Sequence, residues 1–160
     1  MYNLTLAIAA GCALLLAQTA TKPKEKARTM NTAAGTFEVK MLPPASPPVA
    51  GEFVRLSLDK AFTGPLNGTS RVEMLASTDG SQPSGGYVAL ERFTGKLDGR
   101  AGSFIMQHSG TMSPGSMEIS VLVTPGSATG ELANLAGTLE IRREGKQHFY
   151  TLRYELPVKP

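Results

Sequence analysis

Tryptophan is absent from this chain of 160 residues, cysteine occurs once and histidine only twice. A single cysteine excludes an internal disulfide framework, and neither Cys12 nor the pair His108 and His148 falls into a zinc-ligand spacing. Two nucleotide signatures are missing as well, since neither GxGxxG nor GxxxxGK[ST] occurs. No serine sits in a nucleophile elbow; the Gly102-Ser103 and Gly126-Ser127 steps read as turn chemistry. No cofactor or metal is therefore expected. Charge of either sign is modest, with 16 basic and 13 acidic residues for a net +3. Four of the basic ones, Lys22, Lys24, Lys26 and Arg28, crowd one short segment beside Glu25. Outside that segment the charges nearly balance, and no basic stripe with interleaved aromatics follows, so a nucleic-acid partner is not expected.

Long apolar runs are also scarce. The only one, Leu4 to Ala17 in MYNLTLAIAAGCALLLAQTA, falls short of the roughly 20 residues that span a bilayer. Its length and the small residues after it suit the apolar core of a signal peptide over residues 1–20. That reading predicts export to the periplasm or the medium, with no membrane span in the mature chain. The alternative is a lipoprotein anchored through Cys12, with AAGC as the cleavage box; the apolar ALLLA after Cys12 speaks against it. Residues 21–33 are charged, then small and polar, without apolar periodicity, and predict a flexible linker.

Glycine and proline are plentiful, at 17 and 11. From residue 34 to 157 the pattern has period two, broken by turn signals at short intervals. GTFEVKM alternates Phe37, Val39 and Met41 with polar neighbours, and EFVRLSLDKAF sets Val54, Leu56, Leu58, Lys60 and Phe62 on one face. Between them LPPASPPVAG, with four prolines, predicts a loop or edge segment. TSRVEMLAS, GYVALERFTG, RAGSFIMQHSGTM, SMEISVLVT, AGTLEIRRE and KQHFYTLRYEL complete eight strand candidates. Asn67-Gly68 and Asp98-Gly99 are hairpin signals, so neighbouring strands are expected to run antiparallel. Around them the phrase FTGPLNG at Phe62 returns as FTGKLDG at Phe93, and reads as hairpin punctuation used twice. Eight short strands in meander order predict an all-β, antiparallel barrel, which leaves no open edge; a two-sheet β-sandwich is the alternative.

GTFEVK, YVALERFTGKLDGRAGSFIMQHSGTM, VTPGSATGELANLAGT and YTLRYEL together resemble a bacterial family known as domain of unknown function 3224, over roughly Gly35 to Leu156. The resemblance implies a barrel similar to those of allene oxide cyclase and dirigent proteins. It implies no activity, because the family has none established.

If Asp98-Gly99 is a two-residue turn, Phe93 opposes Phe104, Glu91 opposes Met106 and Ala89 opposes His108. One face of this hairpin then collects Tyr87, Ala89, Glu91, Phe93, Phe104, Met106 and His108, and its bulk places it inside. Glu91 and His108 become diagonal neighbours on an apolar wall. Such a pair can move a proton or anchor a polar ligand group; the plainer reading, preferred here, is a buried structural pair. A slip of one residue would turn Gln107 inward instead, as the polar anchor.

Three functions follow. The first is an exported barrel that binds a small apolar molecule, with Glu91, His108, Gln107 and Tyr87 as ligand-binding candidates and no catalytic residue assigned. The second is an isomerase or cyclase acting on a hydrophobic substrate, resting on the fold analogy alone. The third is a filled barrel without a site, whose outer face forms a homo-oligomer.

Overall fold

The structure is a computed structural model that describes residues 28–44, 49, 53–78 and 81–157. The expected signal peptide with Cys12, the first part of the linker and much of the proline-rich loop lie outside the described residues.

Eight antiparallel strands close into one barrel in sequence order. They are β1 (Arg28–Met41), β2 (Val54–Thr63), β3 (Leu66–Ala76), β4 (Gly85–Leu97), β5 (Arg100–Ser113), β6 (Ser116–Val123), β7 (Ala136–Glu144) and β8 (Gln147–Pro157). Closure comes from β1 pairing with β8, from Arg28 opposite Pro157 to Phe37 opposite His148. A closed barrel removes the sandwich alternative. Alternation does the sorting: in β4, Ala89, Glu91, Phe93 and Leu97 are buried while Val88, Leu90, Arg92 and Lys96 face out. Charged residues such as Arg55, Arg71, Glu73 and Arg153 stand on the outer wall. This is the reverse of a barrel that meets lipid with its outside. No helix among the described residues is long and apolar enough to cross a membrane.

Two boundaries differ from the expectation. Strand β1 begins at Arg28, so residues 28–33 of the expected linker are ladder, and Ala33 within it is fully buried. Small polar residues gave this stretch no apolar rhythm, and its pairing with β8 is long-range. Asn67-Gly68 is not a hairpin turn either. The β2–β3 ladder ends at Phe62 opposite Gly68, and the chain reverses through Gly64-Pro65. Tertiary contacts override the local signal: Leu66 is buried in β3 opposite Leu97, and Tyr150 Oη accepts from its N–H at 3.0 Å.

Asp98-Gly99 does form the expected tight turn, with φ of 46° and 78° at the two positions. The remaining glycines of the duplicated phrase open space. Gly68 faces Gly95, and Gly95 faces Gly102, so three glycines lie abreast across β3, β4 and β5. A Cβ on Gly68 would stand 2.3 Å from the Thr94 carbonyl and 3.0 Å from the Phe93 ring. Phe93 therefore lies across the interior at a level where any larger neighbour would exclude it.

This end of the barrel is shut. Phe62, Phe93, Phe104 and Tyr150 pack ring against ring, with centroids 5.0–5.7 Å apart. Beyond the end of β6 the chain leaves the ladder and docks on β5, with Thr124 N–H donating to Ile105 O and Thr129 N–H to Ser103 O. Its short 3-10 turn, Gly130–Leu132, carries Leu132 to full burial, and Leu135 follows it into the core.

Candidate functional site

Period two brings a polar group into the opposite half of the barrel. Lys60 of β2, Ser70 of β3, Glu91 of β4 and His108 of β5 all point inward, and each is at least nine-tenths buried. Adjacent strands place them within reach of one another. Lys60 donates to Glu91 Oε2 at 2.6 Å, and Ser70 Oγ donates to Oε1 at 2.5 Å. His108 Nε2 stands 2.8 Å from Oε2, without the alignment of a hydrogen bond. Leu58, Val72 and Ala89 surround the group as a small apolar cluster, with Met74 and Tyr87 packed on it.

Burial by itself would push the Glu91 carboxyl up. Its contact with His108 and the charge of Lys60 outweigh that and hold it at about 2. The carboxylate is consequently ionised near neutral pH, a weak base and no proton donor. Ser70 donates to that carboxylate, which at about 2 is too weak a base to draw the proton off a hydroxyl, so this is not the arrangement of an activated nucleophile. Glu91 is better suited to orienting Lys60 and His108, which face the open space above it.

That space is a cavity of about 270 Å³ at the open end of the barrel. Phe37, Leu58, Val72, Met74, Ile119 and Ile141 supply its apolar wall, Lys60 and His108 its floor, and Arg143 and His148 its rim. Tyr87 is half-buried at the side; burial and the nearby Glu91 charge raise its pKa, so it stays a neutral hydroxyl. His148 stacks on Phe37 with centroids 5.0 Å apart, and Lys60 Nζ lies 5.1 Å from the same ring. No group of three or more His, Cys, Asp or Glu among the described residues is placed to hold a metal.

The structure brings Glu91, His108 and Tyr87 to one wall, in the register expected from the Asp98-Gly99 turn. Gln107 is exposed on the outer wall and is no part of the cavity, because the tight turn leaves no slip in the β4–β5 ladder. Tyr150 and Tyr154 are in the closed half, where they pack and do not line the cavity. The sequence reading missed Lys60 and Ser70 as members of the polar group, and Arg143 and His148 as rim. Lys60 had a signal, a cation in phase with Leu56, Leu58 and Phe62. Ser70 had a weaker one, in phase with Val72 and Met74.

Comparison with known proteins agrees with the barrel. A chain described as a protein with unknown function from the DUF3224 family of Shewanella oneidensis MR-1 has a crystal structure similar to this one. It is 39% identical, covers 82% of this chain and 99% of its own length, and superposes with a TM-score of 0.72. No curated protein matches the chain. The family model described as protein of unknown function (DUF3224) matches residues 33–154, and the chain belongs to that family.

Proposed function

We propose that the protein is a binding barrel that holds one small, largely apolar molecule in the open half of its interior, and that it works outside the cytoplasm after export by its amino-terminal apolar segment. The observation that carries the reading is the cavity of about 270 Å³, apolar on its walls and ending on Lys60 and His108. Its volume lies near the lower limit of ligand pockets, about 300–1,000 Å³, and its pattern of apolar wall with few convergent polar groups is theirs. A barrel meant only to be stable would fill this half as it fills the other. Glu91, held at about 2, favours binding over acid–base catalysis by that residue.

Native mass spectrometry of protein purified from its own host tests the reading. A retained small molecule is expected, absent from Met74→Trp, in which the new indole occupies the cavity. Bare protein in repeated preparations, or the same adduct on Met74→Trp, would overturn it. Export is checked by fractionation, in which a full-length chain confined to the cytoplasm refutes that half.

A further inference from the structure

The cavity is uneven in charge. Of its 13 lining residues, four carry basic groups (Lys60, His108, Arg143 and His148) and none is acidic. Glu91, the carboxylate that meets Lys60 and His108, is fully buried behind the floor, and both its oxygens are engaged. It offsets a single positive charge, and Arg143 on the rim has no counterpart among the lining residues. The groups come from four different strands, β2, β5, β7 and β8, and so surround the space.

We infer that the ligand is a small amphipathic anion, a monocarboxylate on an apolar body, whose head group is held among Lys60, Arg143 and His148 while its body lies against Leu58, Val72 and Met74. This rests on the reading that the cavity holds a small molecule, and adds the class of that molecule. Three observations support it beyond the count. The Lys60 ammonium is fixed by Glu91 through one of its three protons, so it is oriented before a ligand arrives. Burial first, and then the charges of Arg143 and Lys60, hold the His148 pKa below its ordinary value, so at neutral pH it offers a head group a neutral N–H donor within the positive potential of those two side chains. Arg143 has its Nε–H tied to Gly145 O at 2.9 Å, which leaves the terminal nitrogens of a planar fork suited to a carboxylate. A neutral apolar ligand would leave this potential unrelieved, and a cation would be repelled by it.

Octanoate and octanamide share an apolar chain and differ in head-group charge. Calorimetric titration of the intact protein at neutral pH is expected to show octanoate binding about ten- to a hundred-fold tighter, the worth of one charge-assisted hydrogen bond. In Arg143→Gln with His148→Gln the preference is expected to shrink to about two-fold or less. Both positions are on the rim, and circular dichroism with a thermal melt checks that the double variant folds. Equal binding of the two compounds, or a preference unchanged in the double variant, overturns the anion assignment and leaves the binding barrel standing. Binding of neither also overturns it, and the retained-ligand comparison with Met74→Trp then decides separately whether the cavity is used at all.

Discussion

The two halves of this barrel are built by the same eight strands, yet one is solid and the other hollow. In the closed half, inward positions hold Phe62, Phe93, Phe104, Leu66, Leu97 and Leu152, and the Leu132 turn fills what the strands leave. In the open half, the same inward positions hold Lys60, Ser70, Glu91 and His108 under a smaller apolar shell. The closed half gains from burial and ring packing, which need no partner beyond the chain itself. The open half contains charges that are tolerable only because they satisfy one another, and its walls remain partly unpacked. A fold that needed only stability has no use for the second arrangement, so the search for function belongs there.

The difference should show most clearly in truncations. Phe104→Ala, in the closed half, is expected to destabilise the protein by about 4 kcal/mol, since its ring is fully buried among rings that cannot collapse into the space. Leu58→Ala, beside the cavity, is expected to cost about 2 kcal/mol, at the low end for such a change. Denaturant midpoints of the two variants decide the matter. Equal losses would mean that the open half is packed as tightly as the closed one.

Next in size is the polar group. Glu91→Gln leaves Lys60 without its counter-charge and is expected to cost about 3 kcal/mol at neutral pH. Replacing Lys60 and Glu91 together by methionine should recover much of that loss, which chemical denaturation of the single and double variants measures. A double variant as unstable as Glu91→Gln would show that the loss was one of shape and not of charge.

Acid acts on the same group. The folded Glu91 titrates at about 2, below its ordinary value of 4.5, so its ionised form stabilises the fold. That stabilisation is fully present above about pH 5 and fades as the pH falls toward 2. Wild type should therefore lose up to about 3 kcal/mol more than Glu91→Gln over that range. Parallel acid dependence in the two proteins would remove Glu91 as the cause.

Much of this was legible in the sequence, and the exceptions share a cause. Alternation and turn residues are local, so the eight strands, the β4–β5 register and the Glu91–His108 neighbourhood could be read from them. The start of β1 could not, because Ala33 is buried by β8, more than a hundred residues away. Nor could the fate of the duplicated phrase. Its second copy turns at Asp98-Gly99, whereas the first turns earlier, at Gly64-Pro65, and spends its last glycine on making room for Phe93. Two like phrases serve unlike purposes because different neighbours surround them. The polar group was half legible for the same reason: Glu91 and His108 share a hairpin, whereas Lys60 and Ser70 meet them across separate ladders.

The smallest expected effect isolates the wall itself. Gln107 and His108 are adjacent in β5 but face opposite ways, one exposed and one 4% exposed. Gln107→Ala should change stability by less than about 0.5 kcal/mol, as a surface substitution away from any special contact does. It should also leave octanoate affinity unchanged. His108→Ala removes an imidazole from the cavity floor and deprives Glu91 Oε2 of a contact, so it should weaken both stability and binding. Thermal melts and titrations of the two variants, side by side, test the inward and outward assignment with one residue between success and failure. If Gln107→Ala were the damaging change, the register of β5 would be displaced by one, and the cavity floor would have to be rebuilt around a neutral amide.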